Sequence, residues 1–187
     1  MSAAMWTIVA AAAVVIVLLY VVVTYNALVR LRNMTREAWS GISVQLRRRT
    51  DLIPNLVETV KAYAAHEKSV FEDIATHRAT SIAATSVPAQ ARAEQALGSA
   101  LGRLMAVAEA YPDLKADANF RHLQDNLSEI EDQLQMARRY YNGAAREQNI
   151  RVESFPANVV AGSFGFHQEP YFELDNAADA AVPHVSF

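Results

Sequence analysis

The stretch MWTIVAAAAVVIVLLYVVV, residues 5–23, decides how the rest of the chain is arranged. It is almost wholly apolar, and the first charged side chain of the protein, Arg30, comes only after it. About 20 apolar residues wound as a helix match the ~30 Å hydrocarbon core of a bilayer. A helix that is apolar on every face must be buried on every face. Residues 1–25 are therefore predicted to form a transmembrane anchor.

The flanks of this stretch favour a retained, single-pass anchor over a cleaved signal peptide. A secretory signal begins with a basic region, has a shorter apolar core and ends at a small-residue cleavage site. Here no Lys or Arg precedes the core, whereas Arg30, Arg32 and Arg36 follow it closely. The positive-inside rule places these arginines in the cytosol and the N-terminus outside. We expect them to set the topology and to lie near the lipid headgroups.

Composition and charge restrict the function classes. The 187 residues contain no cysteine, which excludes disulfides, thiolate metal ligands and cysteine nucleophiles. The net charge of −3 argues against a nucleic-acid-binding protein, which usually carries a basic excess. The three arginines at residues 47–49 lie too far from the anchor for lipid contact. We expect one or two of them to pair with nearby acids such as Asp51 or Glu58.

Residues 26–153 are predicted to form an antiparallel bundle of long helices. Pro54 disfavours helical geometry in the residue before it, so the helix that continues from the anchor is expected to turn at residues 51–53. Another break is expected at residues 86–88, and Asp117 is placed to cap the last helix. That helix carries apolar side chains every three and four residues, which predicts coiled-coil-like packing. These side chains are Phe120, Leu123, Leu127, Ile130, Leu134, Ala137, Tyr141 and Ala144.

Two further segments carry apolar side chains that need a covering surface. Residues 79–91 contain no charge, so this loop contacts the bilayer or a neighbouring subunit, or is a plain loop in water. Residues 154–187 are predicted to form a non-helical aromatic and acidic tail, which packs on the bundle, on another protomer or on lipid. The candidate partner or membrane contacts are Ile82, Val87, Phe155, Val159, Val160, Phe164, Phe166, Tyr171 and Phe172.

No constellation of residues predicts a reaction. His66, Asp73 and His77 are spaced to share one helix face, but this pattern is more typical of a solvated His–Asp face than of a metal site. The sequence shows no phosphate-binding loop and no nucleophile elbow. We therefore predict a protein that is not an enzyme, with no catalytic residues, no metal and no cofactor.

Several short motifs resemble those of the LemA family. They are YNALVRLRN (25–33), EAW (37–39), VQLRRR (44–49), RTDLIPNLVETV (49–60), YPDLK (111–115), ARRYYN (137–142), FPAN (155–158), GF (165–166) and PYF (170–172). The resemblance extends from the anchor to about residue 173. It implies a bacterial single-pass inner-membrane protein with a long antiparallel helical bundle, and it implies no reaction.

The sequence favours a non-enzymatic, membrane-anchored helical scaffold on the cytoplasmic side of the bacterial inner membrane. Such a scaffold self-associates or binds another membrane protein, and the Ala and Val side chains of the anchor allow helices to approach closely. The lipid bilayer is its expected partner and a homo-oligomer its expected state, and no nucleic acid is expected. The alternative is a signal-relaying or sensor module, supported by the helix that continues from the membrane into the cytosol.

Overall fold

The computed structural model describes residues 3–173, whose regular secondary structure is entirely α-helical. The helices are α1 (Ala3–Lys61), α2 (Lys68–Ala83), α3 (Val87–Glu109), α4 (Pro112–Ala116), α5 (Ala118–Glu153) and α6 (Ala157–Ser163). The predicted all-α fold is confirmed. The last part of the predicted tail, residues 174–187, lies outside the described residues.

The chain divides into two compact units, and α1 and α5 each contribute to both. Among the described residues, the first unit contains residues 3–40 and Tyr140–Glu169, and the second contains Gly41–Arg139 and residues 170–173. α1 is the one helix among residues 3–173 that is long and apolar enough to span a membrane. Its side chains from residue 4 to residue 20 are all exposed, and burial begins at Val21.

The second unit is an antiparallel bundle with a continuous apolar core. Its buried side chains come from the five helices α1 to α5 and from the turn between α1 and α2. They are Ile53, Leu56, Val60, Ala64, Phe71, Ile74, Leu97, Ala100, Leu101, Leu104, Ala108, Leu114, Phe120 and Leu127. α2 and α3 run in opposite directions, since Ser81 contacts Glu94 at one end and Asp73 pairs with Arg103 at the other.

α1 does not turn before Pro54, so that prediction is wrong. The helix continues to Lys61, and the turn follows at residues 62–67. Proline has no N–H, so the carbonyl of Thr50, four residues earlier, loses its helical hydrogen-bond donor. The Nε of Arg78, on α2, donates to that carbonyl oxygen at 2.9 Å. A side chain from another helix thus replaces the missing backbone donor, which lets Pro54 remain inside the helix.

Capping side chains precede two other helices, at Asp117 as predicted and at Ser86, the first residue of the break predicted at 86–88. Ser86 precedes α3, and its Oγ accepts a hydrogen bond from the Ala89 N–H at 3.4 Å. Asp117 precedes α5, and its Oδ1 accepts from the Phe120 N–H at 2.9 Å. Both side chains satisfy backbone donors that the first helical turn leaves without a partner.

The tail is not wholly irregular, because it contains α6 (Ala157–Ser163). The prediction of a non-helical segment is therefore wrong for these residues. Seven residues are too few to show helical periodicity, and so short a helix is not stable by propensity alone. α6 is stabilised by tertiary packing, since it buries Ala157, Val160 and Ala161.

Candidate functional site

The first unit packs α6 against α1 where the apolar stretch of α1 ends. The buried cluster consists of Leu28, Val160, Ala161 and Phe166, and Val21, Val29 and Val152 pack at its edge. Val21 belongs to the predicted membrane-spanning stretch, and Leu28 lies about 10 Å beyond it along the helix. α6 therefore sits beside the boundary between the apolar stretch and the rest of α1.

Gly165 turns the chain back onto this cluster. It has a φ of +69°, a backbone conformation that glycine adopts without the steric cost that a Cβ adds. The Phe166 N–H donates to the Ala161 carbonyl at 3.0 Å, across the end of α6. This is the Schellman arrangement of a helix C-terminus, in which the residue after the glycine contacts the last helical turn. Phe166 is buried as a result.

Tyr25 of α1 is the aromatic centre of the site. Its ring lies 4.9 Å from the Phe164 ring and 5.8 Å from the Phe166 ring, both in edge-to-face geometry. The guanidinium carbon of Arg32 lies over the Phe166 ring, 4.9 Å from its centroid. Edge-to-face rings and a cation over a ring face are both favourable. The end of α6 is thus fixed to two successive turns of α1.

Two amide side chains on α5 hold the segment that follows. The Asn149 side chain donates to the Glu169 carbonyl at 2.9 Å and accepts from the Glu169 N–H at 2.8 Å. The Gln148 side chain donates to the His167 carbonyl at 3.1 Å. Both amides are buried. They satisfy backbone groups that have no helix or strand partner, so residues 167–169 run along α5 in a defined register.

The predicted aromatic contacts divide into buried and exposed side chains. Val160 and Phe166 are buried in the first unit, and Phe172 is buried in the second, where Arg138 lies over its ring at 5.7 Å. Phe155, Val159 and Phe164 remain 83%, 61% and 53% exposed. These last three, which we call the α6 apolar face, belong to the helix or adjoin its ends.

The other predicted contact residues are not part of this cluster. Ile82 is exposed and Val87 is half-buried, both in the second unit, where Tyr171 is also exposed. The contact of Ile82 with lipid or with another protein stays a prediction.

The arginines that follow the apolar stretch lie on different faces of α1. Arg30 and Arg36 are exposed, whereas Arg32 is half-buried against Phe166. The first two are therefore open to solvent or headgroups. Arg32 contributes to packing as well as to the charge that follows the anchor.

The second unit contains a buried ionic network that sequence reasoning missed. Arg49 Nη1 lies 2.9 Å from Glu94 Oε2, and Arg49 Nη2 lies 2.8 Å from Glu131 Oε1. Gln90 Nε2 donates to Glu94 Oε1 at 2.9 Å, and Ser81 Oγ also donates to that oxygen. The side chains of Arg49 and Glu94 are 7% and 1% exposed. Each charge is thus compensated by an opposite charge, and Glu94 is held by two further hydrogen bonds.

A signal for this network was present in the pattern of α3. Glu94 lies between the buried Ala91 and Leu97, on the stripe that faces the core. A carboxylate at such a position needs a buried cationic partner. The expected partners of the arginine run, Asp51 and Glu58, are both exposed, and Arg49 pairs with Glu94 and Glu131 instead. Because Arg49 and Glu94 are 45 residues apart in sequence, their pairing could not be predicted from local patterns.

The histidines do not form the face that their spacing suggested. His66 lies in the turn before α2, whereas Asp73 and His77 lie on the helix itself. The Asp73 carboxylate pairs with Arg103 at 2.8 Å. The single-helix face that a metal site of this spacing requires is therefore not formed.

Comparison with known proteins finds relatives that match most of the chain. The chain is 29% identical to magnetosome protein MamQ 2 of Paramagnetospirillum magneticum, over 87% of this chain and 69% of that protein. It is 27% identical to magnetosome protein MamQ of Magnetospirillum gryphiswaldense over the same shares. It is 26% identical to protein LemA of Metamycoplasma hominis, over 79% of this chain and 68% of that protein.

A family model decides the assignment. The model described as the LemA family matches residues 38–187, which is more than half of the chain. The match includes α2 to α6 and the buried network, and it agrees with the motifs in the sequence. The chain belongs to the LemA family.

Proposed function

We propose that this protein is a non-enzymatic, membrane-anchored helical scaffold on the cytoplasmic face of the bacterial inner membrane. The observation that carries the proposal is the change of burial along α1. Residues 4–20 are exposed and apolar, whereas Leu28, Ala38 and Ile42 are buried against other helices. One helix thus serves as the membrane anchor and as a structural member of both units.

Charge and composition support the remaining parts of the proposal. Arg30, Arg32 and Arg36 follow the apolar stretch, which favours a cytosolic location for the helical units and an outside N-terminus. The small side chains of the anchor favour close contact between neighbouring anchors. Ile82 is 61% exposed on α2, so it is open to contact with another protein. The scaffold self-associates or binds another membrane protein through such surfaces.

Cysteine crosslinking tests this proposal, because the native chain contains no cysteine. Two differently tagged copies carrying Ile82→Cys or Phe164→Cys are co-expressed, their membranes are treated with a thiol crosslinker, and one tag is purified under denaturing conditions. Recovery of the second tag supports self-association, and an adduct of another mass supports a different partner. Thr80→Cys is the control, since Thr80 is exposed and points about 160° away on the same helix. Monomer alone at both test positions contradicts the scaffold.

A second candidate, a membrane-to-cytosol relay, is favoured by the continuity of α1. The helix that carries the apolar stretch also carries Arg49, whose charge is buried against Glu94. One alanine inserted after Leu19, before the first contact with α6, rotates the anchor by about 100° relative to the helical units. A relay predicts altered hydrogen exchange of the α3 amides around Glu94. Unchanged exchange contradicts the relay and leaves the scaffold intact.

A further inference from the structure

We propose that the α6 apolar face, formed by Phe155, Val159 and Phe164, lies in the lipid interface beside the point where α1 leaves the bilayer. In this arrangement α6 is a second membrane contact in addition to the anchor. The inference rests on the membrane anchor of the proposed function and does not require self-association.

The position of α6 along α1 sets its depth. α6 and the residue that follows its turn contact α1 between Val21 and Arg32. Val21 lies in the last turn of the apolar stretch, and Tyr25 follows it, where an aromatic side chain suits the membrane–water interface. An interfacial helix lies about 5–10 Å into the boundary between headgroups and acyl chains. The α6 contacts with α1 fall at this level.

The exposure pattern identifies the side of α6 that needs a further partner. Ala157, Val160 and Ala161 are buried within the first unit, whereas Phe155 and Val159 are largely exposed. The open positions of the helix itself are mixed, because Asn158, Gly162 and Ser163 are exposed beside Val159. The apolar part of this side is Val159 together with Phe155 before the helix and Phe164 after it, and three exposed apolar side chains on one short segment are unfavourable in water. Lipid is the occupant that the geometry favours, because Phe164 packs edge-to-face on Tyr25, which follows the exposed apolar stretch of α1.

The charged side chains near α6 are compatible with a position at the lipid interface. Arg30 is exposed on α1 about one and a half turns beyond Tyr25, within reach of phosphate groups. Glu153 and Glu169, which an anionic leaflet repels, also lie in the first unit. The Glu153 carboxylate accepts from Gln168, and the Glu169 backbone is held by Asn149. The contact is apolar in origin, so anionic lipid is not required for it.

Depth-dependent fluorescence quenching tests the proposal on the full chain. Phe155→Cys and Val159→Cys variants are labelled with nitrobenzoxadiazole and placed, one copy per disc, in nanodiscs of phosphatidylcholine that carries a nitroxide near the top of its acyl chain. Tyr140→Cys is the matched control, since Tyr140 is 57% exposed and its neighbour Tyr141 contacts Trp39. Trp39 lies about 21 Å beyond Tyr25 along α1.

We expect quenching at Phe155 and Val159 to exceed that at Tyr140 by about threefold or more, and quenching by aqueous iodide to show the reverse order. A Phe155→Ser substitution should lower the lipid quenching of a label at Val159 while the circular dichroism spectrum stays unchanged. Equal lipid quenching at Val159 and Tyr140 overturns the proposal. Crosslinking of two Val159→Cys copies in native membranes, together with equal quenching in the discs, assigns the α6 apolar face to a second protomer. Because each disc holds one copy, the result is independent of self-association.

Discussion

The two units bury and expose opposite kinds of side chain. In the second unit the charged groups of Arg49 and Glu94 are buried, and each has an opposite charge beside it. In the first unit Phe155 and Phe164 are largely exposed, beside the apolar stretch of α1. A helical bundle surrounded only by water favours buried apolar groups and exposed charges. The second unit pairs its buried charges internally, whereas the exposed apolar side chains of the first unit are those for which we propose a membrane contact.

The largest expected effect is on the second unit. Glu94→Leu leaves the Arg49 guanidinium buried with Glu131 as its remaining acidic partner. Removing one partner of a buried ion pair costs about 3–5 kcal/mol, because the other charge loses its compensation. We expect a loss of this order in the free energy of unfolding, measured by urea titration of the full chain in nanodiscs and followed by far-ultraviolet circular dichroism.

An exposed pair of nearly the same length provides the control. Arg103 and Asp73 lie 2.8 Å apart with half-exposed side chains. Asp73→Asn should therefore change the stability by about 1 kcal/mol or less. Combining Glu94→Leu with Arg49→Met should recover most of the stability, because an apolar pair replaces the ionic one. If Glu94→Leu costs no more than Asp73→Asn, the buried network does not stabilise the second unit.

The next largest expected effect is a loss of stability of the first unit at high pH. Tyr141 is buried, and its ring lies 5.4 Å from the Trp39 ring. Burial, with a smaller contribution from the Glu169 charge, raises the pKa of the Tyr141 hydroxyl from 10.0 to about 12. The folded state thus favours the neutral phenol more strongly than the unfolded state does. Its stabilising contribution is complete below pH 10 and is lost as the pH rises towards 12.

The size of this effect follows from the shift in pKa. A shift of about two units corresponds to about 2–3 kcal/mol once the phenol is ionised in both states. Because Tyr141→Phe removes the titrating group, the stability of this variant should fall less than that of the native chain between pH 10 and pH 12. Urea titrations at successive pH values measure the difference. If the stabilities of the two proteins fall in parallel as the pH rises, Tyr141 ionises as easily in the folded state as in the unfolded state.

The helices could be predicted from the sequence wherever the signal was local. Asp117 caps the helix that it precedes, as predicted, and Ser86, the first residue of the break predicted at 86–88, caps α3. The heptad pattern of α5 is also local, and Phe120, Leu127, Leu134 and Tyr141 are buried at its seven-residue spacing. Periodicity and capping depend on neighbours in sequence, so they are visible without tertiary structure.

The errors arose where a distant residue decides the outcome. Pro54 ends a helix by local rules, but Arg78, 28 residues from Thr50, supplies the missing donor. By local rules Glu94 is an ordinary charged residue, and its burial is explained only when Arg49 is placed beside it. α6 is too short for a periodic pattern, and its burial depends on α1. The candidate site could be predicted only as a set of apolar residues in the tail. Which of these side chains are exposed depends on the packing of α6 against α1, and that packing is not visible in the sequence.

A double-mutant cycle tests the replacement of the backbone donor in the second unit. Arg78→Met leaves the Thr50 carbonyl without its Arg78 donor, which should cost about 1–3 kcal/mol. Pro54→Ala restores a backbone N–H that can donate to the same carbonyl. In the Pro54→Ala background Arg78→Met should therefore cost clearly less, as measured by urea titration of the four proteins. Additive effects of the two substitutions show that the Arg78 hydrogen bond does not compensate for the proline.

The smallest expected effect isolates the turn that returns the chain onto α1 in the first unit. A Cβ at Gly165 meets no other atom within 4 Å, so Gly165→Ala acts only through its φ of +69°. We expect a loss of about 1–2 kcal/mol, the cost of a left-handed conformation for an alanine. Gly162→Ala is the matched control, because Gly162 lies inside α6 and its Cβ also meets open space. It should stabilise the protein by up to about 1 kcal/mol. If the two substitutions have the same effect, the left-handed turn at Gly165 does not hold Phe166 against α1, and α6 is fixed to the first unit by its buried side chains alone.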